Sequence, residues 1–177
     1  MTGLRGTTPH RKDDGRLPVR LVLNGRDVEG LVEERTSLLE FLRQLGSKGT
    51  HAGCEQGVCG ACTVLVDGEP VRSCLLLALQ ADSAAVSTVE GLGGPGAPHP
   101  LQLAFSRERS LQCGYCTPGF LMLAMSVLCA GKPVSRAEVR EVLSSNLCRC
   151  TGYEPIVRAV EHVIAAEGLL RGHEEDV

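Results

Sequence analysis

Hydrophobic and polar positions at the start of the chain alternate with a period of two. Val19, Leu21 and Leu23 share one side of this pattern, and the Asn-Gly pair at 24–25 marks a tight turn. An apolar stretch at 28–32 follows the turn. Because successive strand side chains point to opposite faces, the pattern predicts a β-hairpin.

The spacing then becomes helical. A Ser-x-x-Glu capping box at 37–40 opens a predicted helix that ends at Gly46. A strand at 63–66 turns back at the Asp-Gly pair 67–68, and another strand is predicted at 86–89. Two hairpins around one helix predict a small α+β, ferredoxin-like domain. The helix has a leucine face formed by Leu38, Leu39, Leu42 and Leu45.

A glycine- and proline-rich run at 91–98 divides the chain, and the periodicity after it is helical. We place the ferredoxin-like domain at 18–92, the linker at 93–98 and an all-α domain at 99–168. Residues 1–17 and 169–177 are expected to be tails.

The second domain should contain four helices. Their predicted starts are Pro100, Thr117, the Ser135 capping box and Pro155. The second of these helices is nearly all apolar as far as Ala130, which predicts that it is buried.

Composition excludes several functions. The net charge is −3 with no basic stripe, and there are only two Tyr, three Phe and no Trp, so a nucleic-acid-binding surface is not expected. No apolar run is long enough to span a membrane, and the N-terminus lacks the apolar segment of a signal peptide. The sequence therefore predicts a cytoplasmic protein without direct membrane insertion, in which cysteines stay reduced.

Eight of the nine cysteines fall into two groups of four. The first group has the C-x4-C-x2-C…C spacing of plant-type 2Fe–2S proteins. Zinc is the alternative, but zinc favours paired C-x2-C units and the four-residue gap is unusual for it. The predicted ligands of this outer cluster are Cys54, Cys59, Cys62 and Cys74.

The second group combines a C-x2-C pair with a C-x-C pair, which suits either zinc or an iron–sulfur cluster. Cys116 directly precedes a predicted helix, whose dipole should favour the thiolate. The presence of the first group favours a second 2Fe–2S cluster. The predicted ligands of this inner cluster are Cys113, Cys116, Cys148 and Cys150.

Three further cysteine and histidine residues are candidate ligands. Cys129 lies in the apolar helix, where a small buried hydrophobe is expected, so we predict that it binds no metal. His51 is close to Cys54, but four thiols already serve that site, so a loop hydrogen bond is the favoured role. His162 is expected at the surface of the last helix.

Five segments together resemble the iron–sulfur subunit of the xanthine oxidase family of molybdenum hydroxylases. The resemblance covers about residues 18–168, with the motifs in the same order and spacing. Many members carry lysine at the position of His51, a difference that leaves the cysteines untouched. The segments are Gly49–Cys54, Cys59–Val64, Ser73–Leu75, Leu111–Gly119 and Asn146–Tyr153.

The resemblance implies a β-grasp fold for the first domain. It implies a bacterial three-subunit enzyme of the carbon monoxide, nicotine, quinoline or aldehyde dehydrogenase type, assembled as a dimer of heterotrimers. The large subunit would hold molybdopterin, in the cytosine dinucleotide form, and would hydroxylate the substrate with oxygen from water. The medium subunit would hold FAD. Residues matching Gln112 and Cys150 contact the pterin in the family.

These observations predict an electron-transfer subunit that carries electrons from molybdopterin through the inner and outer clusters to FAD. A free-standing two-cluster ferredoxin that shuttles between partners is the main alternative, and a structural zinc protein is another. Exposed apolar surface separates the first two, because a subunit needs large apolar contact areas and a shuttle needs a charged face.

Overall fold

The computed structural model describes residues 15–94 and 96–171. Most of the two predicted tails, at 1–14 and 172–177, and Pro95 of the predicted linker lie outside these residues. Among the described residues, no helix has the length and apolar character needed to cross a bilayer.

The first domain is a five-stranded mixed sheet with one helix across it. Strand β1 forms an antiparallel hairpin with β2 and runs parallel to β5, and β3 pairs with both β5 and β4 in antiparallel fashion. The resulting order, β2-β1-β5-β3-β4, is the predicted β-grasp arrangement. The elements are β1 Leu17–Leu23, β2 Arg26–Val32, α1 Leu38–Gln44, β3 Thr63–Val66, β4 Glu69–Arg72 and β5 Ala85–Ser87.

The alternation read from the sequence corresponds to the buried face of this sheet. Val19, Leu21 and Val86 are almost fully buried beneath Phe41 and Leu42 of α1. One strand differs from the prediction, because β5 ends at residue 87 and residues 89–91 form a 3₁₀ turn instead.

The second domain contains the four predicted helices, α2 Pro100–Arg107, α3 Thr117–Ala130, α4 Arg136–Ser144 and α5 Glu154–Ala166. The apolar side of α5, which includes Ile156, Val160 and Ile164, packs into the core of this domain. Ion pairs from Arg136 to Glu154 and Glu161 connect α4 with α5. These ion pairs therefore hold the start of α4 against α5.

Helix α3 joins the two domains, because it packs against β3 and β4 as well as against α2 and α4. A Cβ atom added at Gly119 would lie 2.3 Å from the backbone oxygen of Gly60, so the approach requires glycine. The prediction that α3 is buried throughout is wrong. Residues 119–124 are buried, but residues 125–128 are only partly buried and Cys129 is exposed.

Candidate metal centres

The first cysteine group lies in the long loop between α1 and β3 and just after β4. Its thiols approach one another in two pairs, Cys54 with Cys59 and Cys62 with Cys74. Cys62 is buried and the other three are partly exposed. The α1–β3 loop and the end of the β3–β4 hairpin thus supply two thiol pairs to one site.

Backbone amides of the loop point at its first sulfur. The N–H groups of Cys59 and Gln56 donate to Cys54 Sγ at 3.3 and 3.4 Å, and they lower the pKa of that thiol to about 6. Burial has the opposite effect on the pKa of the Cys74 thiol and raises it to about 11. The loop therefore stabilises negative charge on sulfur at its open end, as a thiolate ligand requires.

The second cysteine group joins two distant segments. Cys113 and Cys116 precede α3, whereas Cys148 and Cys150 lie between α4 and α5. The sulfur atoms of Cys113 and Cys150 are 3.7 Å apart, and the thiol of Cys116 is close enough to that of Cys148 to influence its pKa. Folding of the helical domain therefore produces a second set of two thiol pairs.

The pKa of Cys116 differs from the prediction that the helix dipole favours its thiolate. Burial, followed by the neighbouring Cys148 sulfur, raises the pKa of Cys116 to about 12, so these effects outweigh the helix N-terminus. Burial also acts to raise the pKa of Cys148. Hydrogen bonds to the Thr151 side chain and to nearby backbone amides outweigh it and lower that pKa. The Thr151 hydroxyl lies 3.0 Å from Cys148 Sγ.

Both donor sets fit a binuclear cluster. A 2Fe–2S cluster takes four cysteine ligands, two on each iron. A structural zinc ion, by contrast, takes all four thiolates around one centre. In each group the strongest thiol–thiol interactions join two pairs of cysteines, which suits a cluster with two irons.

A backbone hydrogen bond connects the two sites directly. The N–H of Leu147, next to Cys148, donates to the carbonyl oxygen of Cys59 at 2.9 Å. Nearby, the Arg72 guanidinium donates to the Ser145 carbonyl oxygen at 2.8 Å. Cys59 of the first group and Cys148 of the second group are thus connected through one hydrogen bond and the peptide bonds beside it.

Tyr115 forms a second connection between the loops. Its hydroxyl donates to the carbonyl oxygen of Ala52 at 2.5 Å, and its ring stacks on His51 with centroids 4.6 Å apart. His51 Nδ1 also lies 2.7 Å from the Tyr115 carbonyl oxygen, so the expected loop hydrogen bond is present. His162 is largely exposed on α5, as predicted, and lies beside Glu108.

Sequence reasoning did not assign a role to either tyrosine. The chain has two tyrosines, and both lie close to a cysteine of the second group. Tyr115 connects the two loops, whereas the hydroxyl of Tyr153 accepts a hydrogen bond from the N–H of Cys148 at 3.0 Å. Because the chain has few aromatic residues, the position of both tyrosines close to cysteines in the sequence was the signal that could have indicated a role for them.

The two residues predicted to contact a pterin lie together at the surface. Gln112 Nε2 donates to the carbonyl oxygen of Cys150 at 3.0 Å, and both residues are exposed. This contact orients the side chain of Gln112 beside the second cysteine group.

Large apolar side chains are exposed next to both cysteine groups. Leu111, Tyr115 and Leu147 are 43%, 47% and 53% exposed beside the second group, and Val58 and Leu75 are 62% and 64% exposed beside the first. Apolar side chains are therefore concentrated where a partner would have to approach the metal centres.

Cys129 takes no part in either group, and its substitution tests that separation. Because Cys129 is exposed near the end of α3, we expect Cys129→Ala to retain the full iron content and both EPR signals. Its unfolding free energy should change by less than about 0.5 kcal/mol, as for other surface substitutions. Iron analysis and thermal unfolding measure the two effects, and loss of iron would contradict the assignment.

The chain matches two family models. Residues 21–87 match a 2Fe-2S iron-sulfur cluster binding domain, and residues 88–161 match a second 2Fe-2S binding domain. Each cysteine group falls within one of the two matched regions.

Curated relatives match over almost the whole chain. The gamma subunit of caffeine dehydrogenase from Pseudomonas sp. (strain CBB1) is 47% identical over 160 residues, covering 88% of this chain and 96% of the relative. The nicotine 6-hydroxylase small subunit of Paenarthrobacter nicotinovorans is 50% identical over 155 residues, covering 87% and 92%.

Solved structures show the same fold. Quinoline 2-oxidoreductase from Pseudomonas putida 86 contains a chain with a TM-score of 0.80 and 46% identity, with 87% of this chain and 98% of that chain covered. The aldehyde oxidoreductase of Desulfovibrio gigas matches with a TM-score of 0.81 and 40% identity over 86% of this chain, but over only 17% of its own longer chain.

Proposed function

Because this chain belongs to the small iron–sulfur subunits of the bacterial molybdenum hydroxylases, we propose that it relays electrons from a molybdopterin site in a large subunit to FAD in a medium subunit. The two 2Fe–2S clusters, when bound, each accept and release one electron. The observation that carries the proposal is the direct hydrogen bond between the two cysteine sites, from Leu147 to Cys59.

We assign the ligands by the thiol pairs. Cys54 and Cys59 would hold one iron of the outer cluster and Cys62 and Cys74 the other. In the inner cluster, Cys113 would share an iron with Cys150, and Cys116 would share the second with Cys148. This second assignment rests on the 3.7 Å approach of the Cys113 and Cys150 sulfur atoms and on the influence of Cys148 on the pKa of Cys116.

The exposed surface favours a subunit over a free shuttle. Exposed apolar side chains lie beside both cysteine groups. An apolar patch at the point of electron entry or exit is typical of a stable subunit interface. In the proposed complex, the surface with Gln112, Leu111 and Leu147 faces the molybdopterin subunit. The surface with Val58 and Leu75 faces the FAD subunit.

In this assignment the large subunit oxidises the substrate with oxygen from water, and this chain contributes no catalytic residue. Gln112 and Cys150 contact the pterin, since their hydrogen bond presents both at one exposed position. The complex is a heterotrimer, arranged as a dimer of heterotrimers.

Expression with and without partners tests the proposal. The isolated chain should accept electrons from dithionite but show no turnover of nicotine, quinoline or aldehyde substrates. When the chain is expressed together with the proposed large and medium subunits, an affinity tag on it should retain both, with molybdopterin and FAD in defined stoichiometry. If the chain elutes as a monomer from such cells, the shuttle function is supported instead.

A further inference from the structure

Three buried side-chain atoms in the described part of the chain lack a hydrogen-bond partner. They are Thr117 Oγ1 and both Oδ1 and Nδ2 of Asn146. Thr117 directly follows Cys116, and Asn146 lies two residues before Cys148. All three atoms therefore belong to residues close in sequence to cysteines of the second group.

Asn146 is wedged between the two cysteine loops. It is 1% exposed, and a Cβ atom at Gly60, between Cys59 and Cys62, would lie 1.9 Å from its Oδ1. Its Nδ2 would lie 3.2 Å from a Cβ atom at Gly119, at the start of α3. The carboxamide is thus enclosed by backbone segments that carry predicted ligands of both clusters.

An enclosed amide without a partner is destabilising, because it has lost its hydrogen bonds to water. Leucine has nearly the same shape and would fill this space without that cost. The Thr117 hydroxyl presents the same problem, and valine would replace it without a change in volume. An acceptor for the two donors, Asn146 Nδ2 and the Thr117 hydroxyl, is therefore expected in the assembled protein.

We propose that Asn146 and Thr117 donate hydrogen bonds to sulfur atoms of the bound 2Fe–2S clusters. Cluster sulfur atoms are acceptors, and hydrogen bonds to them help to set the reduction potential. Reduction adds negative charge to the cluster, so a donated hydrogen bond favours the reduced state and raises the potential. The inference rests on cluster binding as assigned under the proposed function.

Two substitutions that preserve shape test the proposal in the cluster-loaded, full-length chain. Asn146→Leu and Thr117→Val should retain the iron content but shift the reduction potential of at least one cluster to a more negative value. An EPR-monitored redox titration measures this shift. The corresponding ENDOR signal should lose an exchangeable proton coupling that disappears from the wild-type protein in D₂O. The EPR signal that moves identifies the cluster that accepts each hydrogen bond.

Matched controls separate this role from a packing role. Thr117→Ser keeps the hydroxyl and should retain the wild-type potential and proton coupling. Leu143→Ala removes a buried apolar side chain at the end of α4 and should lower the unfolding temperature without moving either potential. If Asn146→Leu fails to load iron, Thr117→Val still decides the question for the hydroxyl.

The proposal is overturned if both shape-preserving variants load iron and keep wild-type potentials and couplings. Failure of the proposed function looks different, because the wild-type chain would then lack two 2Fe–2S EPR signals or would work without partner subunits.

Discussion

Cys148→Ser should abolish or strongly alter the EPR signal of one cluster while the other signal remains unchanged. The thiol of Cys148 lies near that of Cys116, and we proposed that the two cysteines bind the same iron. Serine offers a far less acidic hydroxyl in place of a thiolate, so the inner site should lose iron. Cys59→Ser should have the reciprocal effect on the other signal.

EPR of the dithionite-reduced chain, together with iron and sulfide analysis, measures this effect. Iron should fall from about four to about two atoms per chain in each variant, since each cluster contains two irons. Cys129→Ser, at an exposed position outside both groups, is the matched control and should keep all the iron. Simultaneous loss of both signals in Cys148→Ser would contradict two independent ligand sets.

Gly60→Ala should cause a large loss of stability at the junction of the two domains. Gly60 has φ of +73°, a conformation that costs an L-residue about 1–2 kcal/mol. Its new Cβ would also lie 1.9 Å from Asn146 Oδ1, and such overpacking costs about 1–3 kcal/mol. The sum is about 2–5 kcal/mol, enough to separate the cysteine loops.

Gly25→Ala is the matched control for backbone strain. Gly25 has a similar φ of +78° in the β1–β2 turn, but an added Cβ there meets nothing within 4 Å. The midpoint of thermal unfolding of the iron-loaded chain should therefore fall further for Gly60→Ala than for Gly25→Ala. Equal decreases would show that the contact with Asn146 is unimportant.

Much of the fold was predictable because its signals are local. The Ser37 capping box, the leucine face of α1 and the hairpin turns occupy a few consecutive residues each, and their physical basis needs no distant partner. The same holds for the cysteine spacings, which placed both groups correctly on loops. The predicted order of elements, an α+β domain followed by four helices, is confirmed.

Features that depend on distant segments were not predictable in this way. The apolar composition of α3 did not reveal that burial decreases towards the end of the helix, so Cys129 was wrongly expected to be buried. The contact of Tyr115 with Ala52 and that of Leu147 with Cys59 join residues far apart in the sequence. No periodicity within one element encodes such contacts.

The sulfur ligands proposed for the two clusters differ in their access to solvent. Cys113 and Cys150 are exposed, whereas Cys62 is buried and the remaining ligands of its group are partly covered. Dioxygen and chelators therefore reach the inner cluster of a lone chain more easily than the outer one. A partner that covers this face would prolong the life of the inner cluster in air, so assembly would also protect the centre against oxidative damage.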